Sequence, residues 1–293
     1  MNDLTNCEIE PLRQDGEFAL ARVARPNGLP SCLLVSPVME QPVPSSLAKL
    51  ENAFALRDEL DASWAARPVE LVKFRGRLAL VIEYPDGEFL DKKIDGPLAV
   101  PDFLRLAISI ASSLGGLHGK GLVHKDVKPA NLIANARTGE AWLTGFSLAT
   151  RLSRHRQSAE TLEIIAGTLP YMAPEQTGRM NRSIDSRSDL YSLGVSFYEM
   201  LVGALPFTAR DPMEWVHCHM ARLPVAPSLR RNEIPDPLSA IILKLLAKVP
   251  EERYQTAAGV EADLRRCLSA LEAHGRIESF SLGACDEIGR AHV

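Results

Sequence analysis

His124-Lys125-Asp126-Val127-Lys128-Pro129-Ala130-Asn131 places an acid, an ammonium and a carboxamide at positions 126, 128 and 131 of one short string. Two further strings follow it: Gly167-Thr168-Leu169-Pro170-Tyr171-Met172-Ala173-Pro174-Glu175 and Asp189-Leu190-Tyr191-Ser192-Leu193-Gly194. The surrounding chain has a helical pattern. Phe103–Leu117 carries Phe103, Leu106, Ala107, Ile110, Ala111, Leu114 and Leu117 on one face, with Asp102 ahead of it as an N-cap. Asp189–Val202 is apolar nearly all round, which predicts a buried central helix. Leu238–Ala247 and Thr256–Leu271 read as two more helices, separated by Pro250, and Gly275 follows the last.

Residues 1–98 read differently. Val69–Phe74 and Leu78–Tyr84 flank Arg75-Gly76-Arg77 as a β-hairpin. Phe18–Ala24 and Ser31–Val35 are shorter strands, and prolines 26, 30, 37, 42 and 44 punctuate this region into edge strands and loops. Ser46–Trp64 is a helical stretch in which Leu47, Leu50, Phe54 and Leu56 recur at helical spacing. The expected architecture is α+β. A small β-rich lobe covers about residues 16–87 and a larger helical lobe about 88–272, with tails at 1–15 and 273–293.

The string at 124–131 resembles the catalytic loop of protein kinases, H-R-D-L-K-P-x-N. Gly167–Glu175 is similar to the end of a kinase activation segment, and Asp189–Gly194 to the start of the family's buried central helix, with Tyr191 for Trp. The resemblance covers about residues 16–272 and implies the bilobal kinase fold. It implies that Asp126 orients a substrate hydroxyl and accepts its proton, that Lys128 reaches the transferred phosphoryl group, and that Asn131 ligates magnesium. Lys128 and Thr168 mark the serine/threonine class. His124 and Phe146 would pack in the stack joining the lobes, and Asp189 would hold the catalytic-loop backbone. Glu175 would pair with Arg253, because a buried carboxylate needs a partner and arginine offers a bidentate one. The stretches Ala173–Gly194, Asp211–His219 and Leu243–Tyr254 resemble the N-terminal kinase-like domains of large bacterial sensor proteins, which continue into ATPase, GAF-type and histidine-kinase domains.

Four departures fall on the nucleotide side. The metal-binding Asp-Phe-Gly is replaced by Gly145-Phe146-Ser147, and no Asp occurs between Val127 and Ile184. No Lys precedes Lys49; Val35 takes the strand position, and the partner Glu aligns with Ala53, with Glu51 kept open. Gly16 and Gly28 are the only glycines before residue 76, too few for a phosphate cradle. The hinge is Ile82-Glu83-Tyr84-Pro85, and Pro85 has no N–H for an adenine ring. ATP and magnesium are the implied cofactors, on a site stripped of much of their binding. Arg22 is a candidate to reach phosphates in place of the missing Lys. Three functions follow: a regulatory or binding module with weak or lost phosphotransfer, an active serine/threonine kinase with an atypical nucleotide site, or a small-molecule kinase of the same broad fold, against which the string Gly167–Glu175 argues. The retained residues have a structural reading too, since such loops use Asp and Asn to hold their own backbone.

Smaller features complete the reading. His217-Cys218-His219 is read as packing rather than a metal site, because helix residues two apart share no face. Ser153, Ser158 and Thr161, near the basic run Arg151–Arg156, are candidate phosphosites. A net charge of −4 argues against nucleic acid as a partner. No apolar run approaches a membrane span, and the start lacks a secretion signal. Five scattered cysteines suit a reduced cytoplasm. Partners are then a protein substrate, a regulatory protein or a fused signalling domain. Ile288–Val293 is what a common sequencing adapter encodes, so the natural chain is expected to continue past about residue 287.

Overall fold

The computed structural model describes residues 7–26, 29–93, 96–152, 167–180 and 182–286. The N-terminal lobe is an antiparallel five-stranded sheet with one helix. β1 (Glu8–Asp15), β2 (Phe18–Ala24) and β3 (Cys32–Pro37) come first, then α1 (Pro44–Ala55), then β4 (Pro68–Phe74) and β5 (Arg77–Glu83), in the spatial order β1-β2-β3-β5-β4. The β4–β5 turn takes left-handed backbone at both Arg75 (φ 49°) and Gly76 (φ 79°), the two-residue geometry that matches strand twist. Alternation then sorts the sheet's faces. Leu33, Leu80 and Ile82 join the main core with Leu50 and Ala53 of α1, while Val23, Cys32, Leu34, Ala79 and Val81 form a small cluster on the other side.

Two expectations change here. Residues 8–15, read as tail, form β1: backbone pairing with β2 recruits an exposed, charged edge strand that apolar pattern alone does not reveal. The helix read over Ser46–Trp64 ends at Ala55. The reason is tertiary. Leu143 N–H donates to Trp64 O and Ala66 N–H to Leu143 O, both at 2.9 Å, so the chain turns at 62–64 to meet the C-terminal lobe.

That lobe begins with β6 (Glu88–Phe89) and α2 (Leu90–Lys93), followed by α3 (Val100–Gly119), β7 (Leu122–Val123), β8 (Leu132–Ala134), β9 (Ala141–Leu143) and β10 (Thr150–Arg151). α4 (Ser186–Val202), α5 (Pro212–Ala221), α6 (Pro227–Arg230), α7 (Asp236–Leu245) and α8 (Ala257–His274) complete it. Ala99, not Asp102, stands at the N-cap of α3; Val100 starts the helix, Pro101 follows it, and Asp102 sits in the first turn, where a carboxylate still suits the dipole. By length and composition α3 could cross a membrane, yet most of it is buried in this lobe. α4 is buried almost all round, with Asp185 capping it through Arg187 N–H at 2.8 Å. Residues 276–286, also read as tail, pack on the lobe through Ile277, Phe280 and Leu282. One core runs through both lobes, from Leu33 and Leu80 to Phe146, Leu132 and α4.

Candidate active site

The 124–131 loop leaves β7 and enters β8, and a buried acid holds its backbone. Asp189, in the first turn of α4, accepts N–H groups from His124 and Lys125, each at 2.8 Å, and contacts His118 Nε2 at 2.9 Å. This grip fixes Lys125 in left-handed backbone (φ 68°), unusual for a long side chain. The turn brings Asp126, Lys128, Asn131 and Thr168 together. Thr168 donates its N–H (3.0 Å) and hydroxyl (2.8 Å) to Asp126 Oδ1. Asn131 Nδ2 donates to Asp126 Oδ2 at 2.9 Å and to its carbonyl at 2.8 Å. Lys128 Nζ donates to Thr168 Oγ1 at 2.7 Å and lies 3.3 Å from Asp126 Oδ2. The Lys128 side chain is 7% exposed, so its charge needs close anions.

The metal side is arranged differently. Gly145 has φ 79°, and a Cβ there would lie 2.6 Å from Asn131 Cγ and Oδ1. The Asn131 carboxamide fills the space that a side chain at 145 needs. Among the described residues no group of three or more His, Cys, Asp or Glu side chains could hold a metal ion. Magnesium prefers carboxylate and water oxygens in octahedral array. Asn131 Nδ2 is committed to Asp126, which leaves Oδ1 as one neutral oxygen donor; with no carboxylate at 145, the described residues do not make that donor set. His124 and Phe146 pack 5.2 Å apart between centroids, and His124 Nε2 meets Thr144 O at 2.9 Å. From α1, Asn52 Nδ2 donates to Ser147 O and Ala149 O. Ala53 is buried, Glu51 faces solvent, and Val35 lies opposite Leu80 in the sheet, so no strand-lysine to helix-glutamate pair forms at these positions.

At the hinge, Ile82 is buried, and Arg67 grips Glu83 bidentately at 2.7 and 3.0 Å. Arg22 lies on the hinge side of the small lobe. Its guanidinium lies over Tyr84, 5.7 Å from the ring centroid, and reaches Ser31 Oγ. It lines an open cavity of about 810 Å³ with Tyr84, Pro85, Asp86 and Arg137.

Sequence reasoning missed two residues of the β1–β2 hairpin. Asp15 Oδ2 accepts from Lys128 Nζ at 2.8 Å. Arg13 reaches Asp91 at 3.0 Å, donates to Ala130 O, and lies over the Phe89 ring at 4.6 Å. Opposite charges two apart are common on solvated strands, so the pattern alone carries little signal.

A model of the protein kinase domain matches residues 60–264. This chain belongs to the protein kinase domain family. The match begins after α1, and so beyond β1–β3. The domain is 38% identical over 189 residues to the serine/threonine-protein kinase PknB of Mycobacterium leprae, covering 64% of this chain and 30% of that protein. A probable serine/threonine-protein kinase of Streptomyces coelicolor is 35% identical over 212 residues, covering 70% and 31%. Pkn1 of Myxococcus xanthus is 34% identical over 203 residues, covering 68% and 28%. The chain therefore spans about a third of the length of these curated relatives.

The kinase domain's structural residues lie behind the cleft. Arg253 and Glu175 pair at 2.7 and 2.9 Å, with side chains 0% and 1% exposed. Arg253 also donates to Ala247 O, Arg187 O and Lys248 O, and Ser188 Oγ donates to Glu175, so the buried pair is satisfied all round. His219 is packed: Nε2 donates to Leu169 O at 2.8 Å and Nδ1 accepts from Tyr191 OH at 3.0 Å. Burial pushes its pKa down to about 4. Cys218 is buried beside it. The candidate phosphosites Ser153, Ser158 and Thr161, and the terminal Ile288–Val293, lie outside the described residues.

Proposed function

We propose that this domain is a pseudokinase-like regulatory module of a bacterial signal-transduction protein, with phosphotransfer from ATP weak or lost. The observation that carries the reading is at Gly145. The family's metal-binding carboxylate is absent there, and the Asn131 carboxamide occupies the room a side chain would take. Val35 in the lysine position and Pro85 at the hinge point the same way. Removing one preorganised charge from a transition state commonly costs about 3–4 kcal/mol, and several such groups are missing here. In this reading Asp126, Asn131 and Thr168 hold the loop, and the domain acts by binding a regulatory protein or a fused signalling domain in the cytoplasm.

A second reading has its own observation. Asp126, Lys128 and Thr168 form a tight hydrogen-bonded set, the arrangement that an active serine/threonine kinase with Asp126 as base would need. Intact-protein mass decides between them. The full chain is incubated with ATP and Mg²⁺ or Mn²⁺, with and without a generic basic protein, beside Asp126→Asn. The regulatory reading expects no added phosphate above the control. Phosphate that appears in wild type and vanishes in Asp126→Asn would establish the active kinase instead.

A further inference from the structure

The hairpin contacts form a pattern of their own. β1 carries a register shift between Pro11 and Arg13, the kind of irregularity that re-aims a side chain. Beyond it, two neighbouring residues of opposite charge cross to the other lobe and meet partners of opposite sign. Arg13 pairs with Asp91 of α2, and Asp15 with Lys128 of the catalytic loop. Reversing the charge sense across two adjacent pairs admits one docking register and penalises a slipped one. Lys49 of α1 and Ser46 hold Glu17 in the turn of the same hairpin. Burial alone would raise the Glu17 pKa; these two partners outweigh it and hold the carboxyl low, so it stays charged. The turn end of the hairpin is thus held from both sides, by α1 at Glu17 and by the other lobe at Arg13 and Asp15.

We propose that this hairpin is a built-in plug of the cleft, with the Asp15 carboxylate occupying on Lys128 the place of an anionic ligand oxygen. Lys128 is almost wholly buried and, among the described residues, offers its ammonium to three side chains: Asp126, Thr168 and Asp15. Of these, Asp15 alone comes from outside the loop and its activation-segment neighbour. A phosphate oxygen that binds Lys128 must displace it. Exposure shows where the plug opens. The Arg13 side chain is 16% exposed and wedged over Phe89, whereas Asp15 is 48% exposed. Arg13 anchors and Asp15 releases. The inference assigns a regulation to the same cleft and rests on the resemblance-based reading that Lys128 faces a phosphoryl group; it does not depend on whether transfer survives.

Two measurements on the full chain test it, and neither reads phosphotransfer. The first is amide hydrogen exchange of wild type, Asp15→Asn and Arg13→Gln. The plug expects exchange in residues 12–20 and 124–131 to rise by about fivefold in both variants, the scale of a partly exposed ion pair, while α4 keeps its protection as the check on folding. The second is binding of inorganic tripolyphosphate without metal. Asp15→Asn should bind about fivefold tighter than wild type, because one competing carboxylate is gone. Unaltered exchange in both segments overturns the latch, and equal tripolyphosphate affinity overturns the competition for Lys128. A positive phosphotransfer result would sink the regulatory reading and leave both of these outcomes standing.

Discussion

A side chain on Gly145 and the carboxamide of Asn131 compete for one volume, and in this chain Asn131 has it. The resemblance implies Asn131 as a metal ligand through its oxygen; in the structure its amide nitrogen braces Asp126. Lys128 changes in the same way, taking Asp15 as its anion. At His219 the residue scale also sets a pH dependence. The imidazole is buried against Leu169 O and Tyr191 OH, and burial holds its pKa near 4, below the unfolded value of about 6.5. The folded form therefore binds fewer protons across that interval. His219 contributes stability that is complete above about pH 6.5 and is lost as pH falls toward 4. Urea midpoints of wild type should fall over that window more steeply than those of His219→Gln. Matching slopes would show that the imidazole is not the group responsible.

Among the elements, α8 shows how a distant segment can reverse a propensity. Thr256 caps the helix through Gly259 N–H, and the Asp286 carboxylate in turn accepts from Gln255 N–H, Thr256 N–H and Thr256 Oγ, all within 2.9 Å. A Cβ on Gly259 would stand 2.5 Å from Asp286 Oδ1. Alanine for glycine ordinarily stabilises a helix by up to about 1 kcal/mol. Here Gly259→Ala should destabilise, by pushing the 276–286 segment off the helix start. In an Asp286→Gly background, which also removes the Asp286 Cβ that would stand 2.7 Å away, the same change should stabilise by about 0.5–1 kcal/mol. Urea unfolding of the four proteins in that cycle measures both signs, and a stabilising Gly259→Ala in wild type would refute the strap. The element scale also shows what periodicity misses. α1 keeps its buried Leu50 and Ala53 but stops at Ala55, and the chain passes through turns at 56–59 and 62–64 before Trp64–Ala66 pair with β9.

Over the whole molecule, a single core threads both lobes, and Phe146 lies in its middle against His124. Phe146→Ala should cost about 3–5 kcal/mol and, because the core is shared, lower the thermal stability of both lobes in one transition. Two separate transitions, only one of them shifted, would show that the lobes fold independently. Much of this arrangement is legible in the linear chain. The string at 124–131, its partners Thr168 and Asp189, the separate pair Glu175–Arg253, and the apolar stripes of α3 and α4 depend on residue type and local spacing, which sequence carries directly. The losses at Gly145, Val35 and Pro85 are equally plain, because each is a missing chemical group. What the chain does with the room so created depends on contacts between residues far apart. The meeting of Asp15 with Lys128 across 113 positions, the reach of Arg13 to Asp91, and the capping of α8 by Asp286 follow from how strands and helices pack. Such charges read as ordinary surface residues until the fold brings their partners within hydrogen-bonding range.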